Sequence, residues 1–160
     1  MKRVAINGFG RIGRAFMRIA HGRDDLEVVA VNDIQLQPDL AAYLLQFDSV
    51  YRRFGAEVGH DAQGLVVDGR AVRLLGEKDP AALHWSGLKV DVVVESTGVF
   101  RTGEQASLHR KAGAKKVVIS APAKGGGVPT FVYGVNHDRY QRERDHVVSA
   151  ASCTTNCLAP

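Results

Sequence analysis

A doubly wound α/β domain, with a mostly parallel sheet and one antiparallel hairpin excursion, is the fold this sequence predicts. Three observations lead there. Short apolar, β-branched runs alternate with segments of helical period. A glycine-rich turn follows the first run and opens the first helix. An Asp-Gly pair separates two β-prone runs in the middle of the chain. The length of 160 residues fits one domain with a real core, and 45% hydrophobic with 24% charged residues is ordinary for a water-soluble chain.

The elements follow in order. Arg3–Asn7 ("RVAIN") reads as a short buried strand. "GRIGRAFMRIAHGR" reads as a helix, with Ile12, Phe16 and Ile19 near helical spacing. Leu26–Asn32 ("LEVVAVN") is a second strand, and Pro38 suits the first turn of a helix carrying "LAAYLLQF". "GLVVDGRAVRLL" predicts a hairpin about Asp68-Gly69, and "EKDPAAL" a short helix starting at Pro80. Val90–Ser96 is the most apolar run and is expected to be a central strand. Thr102 and Gln105 form a capping box for a helix that ends near Gly113. Lys115–Ser120 is a further buried strand, "APAKGGGVP" a loop, and "TFVYGV" and "HVVSAAS" the last strands.

Several classes are disfavoured. The net charge of +4 is modest and scattered, which gives no argument for nucleic acid. "MKRVAINGFG" lacks the apolar stretch of a signal peptide, and no run is long enough to cross a bilayer, so a cytoplasmic protein without membrane partners is expected. Cys153 and Cys157 do not suggest a disulfide framework, and no metal site is expected around them.

Gly8, Gly10 and Gly13 stand in G-x-G-x-x-G spacing between a strand and a helix. Gly8 allows the tight turn, Gly10 lets backbone N–H groups approach a pyrophosphate, and Gly13 lets helix pack close to strand. The positive end of the helix then faces the phosphates. Asp33 lies 20 residues beyond Gly13 at the end of the second strand. An acid there accepts from a ribose hydroxyl and repels a 2′-phosphate, which favours NAD over NADP. Its alternative is a capping residue.

Later strands end in small polar residues at Ser96-Thr97-Gly98, at Ser120, and from Ser149 to Cys153. Strand ends of such a sheet line one crevice. Cys153 is expected in the first turn of a helix opened by Ser152, where backbone N–H groups and the helix dipole favour a thiolate. Residue types alone leave a nucleophile and a buried packing cysteine as open alternatives; Cys157, one turn on, is expected to be buried packing.

"INGFGRIGR", "VND", "VESTGVF", "GAKKVVISAP" and "SCTTNCLAP", in order over residues 1 to 160, resemble the phosphorylating glyceraldehyde-3-phosphate dehydrogenases. The resemblance implies a Rossmann-type NAD-binding domain over residues 1–152, the start of a catalytic domain at 153–160, and a homotetramer. It implies oxidation of glyceraldehyde 3-phosphate with inorganic phosphate to 1,3-bisphosphoglycerate. The cofactor residues implied on the first turn are Asn7, Gly8, Phe9, Gly10, Arg11, Ile12 and Gly13. Further along they are Asn32, Asp33, Lys78, Ser96, Thr97, Gly98, Phe100 and Ser120. Cys153 is the implied nucleophile, and Ser152, Cys153 and Thr154 the implied substrate and phosphate contacts. Lys78 stands where the family often has arginine, Tyr51 where it usually has histidine, and Arg52 where it usually has glycine.

The family chain is about twice as long, and its general base, a histidine, lies in the second half. None of His21, His60, His84, His109, His137 and His146 matches that position. A fragment, inactive by itself, is therefore expected. The alternatives are the sister erythrose-4-phosphate dehydrogenases and a non-catalytic nucleotide-binding module; "SAPAK" and Asp33 after Asn32 resemble the glyceraldehyde enzymes more.

Overall fold

The computed structural model describes residues 1–160. In chain order the elements are β1 (Lys2–Asn7), α1 (Arg11–His21), β2 (Leu26–Asn32), α2 (Pro38–Gln46), β3 (Phe47–Asp48) and β4 (Arg52–Arg53). There follow β5 (Val58–Asp61), β6 (Gly64–Val67), β7 (Arg70–Leu75) and β8 (Val92–Glu95). The chain closes with α3 (Gly103–Ala106), α4 (Leu108–Lys111), β9 (Lys116–Ile119), β10 (Val147–Ser149) and α5 (Cys153–Leu158).

Eight strands form one sheet in the order β10-β9-β8-β1-β2-β7-β6-β5. The pairings from β10 to β7 are parallel, and β7-β6-β5 are antiparallel. The expected fold class is therefore present. The hairpin is an extension of the main sheet, because β7 pairs with β2 through Ala30↔Arg73 to Asn32↔Leu75. Its turn has Asp68 at φ 46° and Gly69 at φ 76°, the two positive angles that a two-residue turn of matching twist requires.

Apolar strands bury both faces of the sheet. Neighbouring residues on one strand enter opposite clusters: Ala5 and Ala30 pack with Trp85, Val93 and Val117, whereas Ile6 and Val31 pack with Phe9, Met17 and Leu45. This alternation with both sets buried is what a sheet covered on two sides demands.

The structure corrects several local expectations. The buried stripe of α1 is Gly13, Met17 and Ala20, while Ile12 and Ile19 face outward. Small residues at 13 and 20 let the helix approach the sheet, so proximity overrides side-chain hydrophobicity. Pro80–Ala82 is a single 3-10 turn, and the helix after Thr102 breaks into α3 and α4 at Ser107, although the capping box itself is formed. "TFVYGV" is not a strand: Thr130 makes one isolated bridge to Ser149, Gly134 turns at φ 86°, and the Asn136 side chain accepts from Val132 N–H and donates to the Thr130 carbonyl. "HVVSAAS" is a strand only over Val147–Ser149.

Arg52 has φ 63° at the β3–β4 turn. A left-handed residue with a side chain costs about 1–2 kcal/mol. Arg18 offsets that strain by donating to the carbonyls of Arg52 (3.0 Å) and Leu45 (2.6 Å).

Asp91 joins three strands at their amino ends. Its carboxylate accepts from Lys115 Nζ at 2.7 Å and from Arg3 N–H at 2.9 Å, just before β8. Lys115 first, then the Arg3 N–H, holds this carboxyl below the usual range. Its contribution to stability is full above the unfolded value near 3.9 and is lost as pH falls through the lower folded value. Asp91→Asn is expected to lower the urea midpoint at pH 7, with the gap to wild type closing below about pH 4.

Candidate functional site

Five strand ends meet at the carboxyl edge of the parallel sheet. Asn7 is in register with Glu95 and Asn32, Glu95 with Ile119, and Ile119 with Ser149. The loops that leave β1, β2, β7 and β8 enclose a cleft of about 370 Å³ beside this edge. Crevices of this kind, where connections diverge from a central strand, are the ligand sites of open α/β sheets.

The glycine turn forms its upper wall. Gly8 has φ 92°, and a Cβ there would lie 2.6 Å from the Thr97 backbone nitrogen. Gly10 is the N-cap of α1 and has open space where a Cβ would sit. Behind it, the backbone N–H groups of Arg11, Ile12 and Gly13 have no acceptor in the protein, and the first turn of α1 carries no acidic residue. Gly13 is buried against the sheet, with its absent Cβ directed at the Gly8 carbonyl oxygen. Free donors, an uncompensated helix dipole and open space at Gly10 fit a pyrophosphate.

Asp33 faces the same cleft. Its two carboxylate oxygens accept from Phe9 N–H and Gln35 N–H, each at 2.9 Å. The acid thus ties the first turn to the second strand; it caps no helix, since the N-caps of α1 and α2 are Gly10 and Gln37. Each carboxylate oxygen has a further lone pair for a ribose hydroxyl.

Of the expected cofactor residues, Asn7, Gly8, Gly10, Asn32, Asp33, Lys78, Ser96, Thr97 and Phe100 line the cleft. Phe9 does not: its side chain is fully buried in the core and anchors the turn from below. Arg11 and Ile12 are exposed on the first turn of α1, Gly98 turns outward at φ 75°, and Ser120 is half-buried at the end of β9. Ile34, Gln35, Glu77 and Val99 line the cleft without having been expected. They flank expected residues in loops, where no periodicity marks which side chain turns inward.

The second part of the site is the turn from β10 into α5. Ser149 Oγ donates to the Ala121 carbonyl at 2.7 Å and accepts from Ala151 N–H at 3.1 Å. Ala151 is buried with φ 63°, a strained conformation for a residue with a side chain. Ser152 caps α5 by accepting from Thr155 N–H at 2.9 Å. The Asn156 amide ties the helix back to the carbonyls of Ala150 and Ser152. Cys153 therefore stands on the first turn of α5 as a free, exposed thiol, with Thr154 beside it. Cys157 is also exposed, against expectation, because α5 buries none of its residues against these elements.

A buried polar network beneath the cleft is the part that sequence reasoning missed. Glu95 is fully buried, and its carboxylate accepts from Asn7 Nδ2 at 2.6 Å, His109 Nε2 at 3.0 Å, Thr97 N–H at 2.9 Å and the Thr97 hydroxyl. Trp85 Nε1 donates to His109 Nδ1 at 3.1 Å, and Asn32 Nδ2 donates to Asn7 Oδ1 at 2.7 Å. A signal was present: three apolar strands each end in a residue that can share hydrogen bonds, Asn7, Asn32 and Glu95.

No helix is long and apolar enough to cross a membrane, and no group of three or more His, Cys, Asp or Glu side chains is placed to hold a metal.

Comparison with known proteins agrees with this geometry. Residues 2–103 match the family model described as "Glyceraldehyde 3-phosphate dehydrogenase, NAD binding domain". The chain is similar to glyceraldehyde-3-phosphate dehydrogenase 3 of Kluyveromyces marxianus, with 51% identity over 160 residues, 100% of this chain and 47% of the relative. It is 52% identical over the same length to glyceraldehyde-3-phosphate dehydrogenase 1 of Saccharomyces cerevisiae, again 47% of the relative. With glyceraldehyde-3-phosphate dehydrogenase 1 of Caenorhabditis elegans it shares 51% identity, covering 98% of this chain and 47% of the relative. The chain thus spans about half the length of the curated relatives it matches.

Proposed function

The chain belongs to the glyceraldehyde-3-phosphate dehydrogenase family, whose matched domain binds NAD, and from that premise we propose that it serves the phosphate-dependent oxidation of glyceraldehyde 3-phosphate to 1,3-bisphosphoglycerate. Residues 1–152 form the NAD-binding domain in this proposal, and 153–160 open the catalytic domain of a cytoplasmic homotetramer. The observation that carries it is the shared edge. The glycine turn after Asn7 and the Cys153 turn after Ser149 leave the same end of one parallel sheet. They stand three strand spacings apart, roughly 14 Å.

The roles follow from position. Gly10, Arg11, Ile12 and Gly13 present backbone donors to the pyrophosphate, with Asn7, Gly8 and Phe9 fixing the turn. Asn32, Asp33 and Lys78 flank the adenosine end, and Asp33 accepts from the ribose. Ser96, Thr97, Gly98, Phe100 and Ser120 border the path from there toward Cys153. Cys153 Sγ attacks the aldehyde carbon to give a thiohemiacetal. The free N–H groups at the start of α5 face the developing oxyanion. When bound, NAD supplies the hydride acceptor that turns this adduct into a thioester. Ser152 and Thr154 offer hydroxyls to the inorganic phosphate that cleaves the thioester and releases the thiolate.

The general base is proposed to lie outside these residues. No histidine follows Cys153, and none of the six is hydrogen-bonded to it. An assay with glyceraldehyde 3-phosphate, NAD and phosphate tests the proposal. The 160-residue chain alone should form negligible NADH, and addition of the second half of a relative should raise the rate. Robust turnover by the chain alone contradicts the assignment of the base.

A further inference from the structure

We infer that His109 is a positioning residue for the cofactor cleft, acting with Trp85 through Glu95 on Thr97 and Asn7. The inference rests on the reading of that cleft as the NAD site. His109 does not line the cleft; it is fully buried on α4, below the end of β8.

The hydrogen bonds have a direction. An indole N–H can only donate, so the Trp85 bond makes His109 Nδ1 an acceptor and assigns the imidazole proton to Nε2. Nε2 therefore donates to Glu95 Oε2, which also takes the Asn7 amide. Oε1 takes both the backbone N–H and the hydroxyl of Thr97. All four partners of the carboxylate are donors, a pattern that an acceptor-only carboxylate satisfies. With its own hydrogen committed to Glu95, Thr97 Oγ1 accepts from Val99 N–H at 3.1 Å. The Thr97 backbone, in turn, is what leaves no room for a side chain at Gly8. A continuous set of contacts thus runs from Trp85 to the glycine turn.

It also runs sideways. Asn7 accepts from Asn32, whose amide makes paired hydrogen bonds with the backbone N–H and C=O of Glu77, both at 2.8 Å. Glu77 lines the far wall of the cleft. The one network therefore sets the spacing of the β8, β1, β2 and β7 loops around the ligand.

Packing alone does not account for it. No lysine or arginine pairs with Glu95, and a buried carboxylate without a cation is an expensive way to fill a core. Apolar side chains of the same volume would stabilise the sheet as well or better. What they would lack is the directed hold on Thr97 and Asn7.

Calorimetric titration of the 160-residue chain with NAD tests the role, using His109→Leu and His109→Gln. Glutamine can keep a donor to Glu95; leucine removes it and strands the Trp85 N–H. His109→Leu is expected to weaken NAD binding about tenfold or more, and His109→Gln to stay within about threefold of wild type. Trp85, the single tryptophan of the chain, supplies a second readout. Its emission should respond to NAD in wild type and His109→Gln, and lose that response in His109→Leu. A His109→Leu protein with a lowered unfolding midpoint but wild-type NAD affinity overturns the inference. If His109→Leu does not fold, Trp85→Phe removes the indole N–H together with part of the ring, and unchanged NAD affinity there overturns it equally. Failure of the wild-type chain to bind NAD is a different result. It removes the cofactor reading itself, and the role of His109 with it.

Discussion

Gly13→Ala is expected to destabilise the domain by about 3 kcal/mol or more, the upper range for overpacking a tight site. The added methyl would overlap the Gly8 carbonyl oxygen and stand 2.9 Å from Ile6 Cγ2. The first obstacle is backbone, and it belongs to the turn whose shape the site depends on. Ile6 is fully buried in β1, so it has no free volume to move into. Relief requires α1 to lift from the sheet, which would also withdraw the free N–H groups of its first turn from the cleft. Urea unfolding should therefore show a lower midpoint at an unchanged slope. NAD affinity should fall in the fraction that stays folded. Gly10→Ala is the internal control: nothing lies within 4 Å of its absent Cβ, so it should cost only the loss of a glycine N-cap, about 1 kcal/mol or less.

Cys153→Ala has the second large expected effect, on chemistry rather than stability. Removing a nucleophile costs on the order of 10⁴-fold or more in turnover. The test mixes the chain with the second half of the Saccharomyces cerevisiae relative and follows NADH formation. The thiol is exposed and α5 buries no residue, so the fold should tolerate the change. NAD affinity should hold as well, because Cys153 does not line the cleft. Loss of rate with retained binding separates a nucleophile from a residue that supports the site. Retention of most of the rate in Cys153→Ala contradicts the proposed chemistry.

The parts of the fold legible in the sequence are those where one local rule acts alone. The Asp68-Gly69 turn is fixed by its own backbone preferences, and Ser152 caps α5 by its own hydroxyl. The Thr102–Gln105 capping box is equally local, yet the helix it opens is interrupted five residues later at Ser107, whose hydroxyl donates to the Gly103 carbonyl at 2.6 Å. Where long-range contacts decide, local signals mislead. Val58–Asp61 contains glycine and aspartate and is a strand only because β6 pairs with it. "TFVYGV" has strand-forming residues but is folded back by Gly134 and Asn136.

The site divides the same way. The glycine turn and Asp33 were legible because their spacing is set by a single strand–helix–strand unit. Asp33 nevertheless differs in detail, since two backbone N–H groups already share its carboxylate. The network of Trp85, Glu95 and His109 joins residues 10 to 24 positions apart, on a loop, a strand and a helix. No periodicity connects them; only the assembled sheet does.

The central claim is that the cleft at the carboxyl edge of the sheet binds NAD with Asp33 reading the ribose. Parallel calorimetric titrations of the chain with NAD and NADP, in wild type and Asp33→Ala, test it most directly. Saturable binding of one NAD per chain is predicted, at least about tenfold tighter than NADP, with that preference narrowed in Asp33→Ala. Equal affinity for NAD and NADP in wild type, or a preference that survives Asp33→Ala intact, contradicts it.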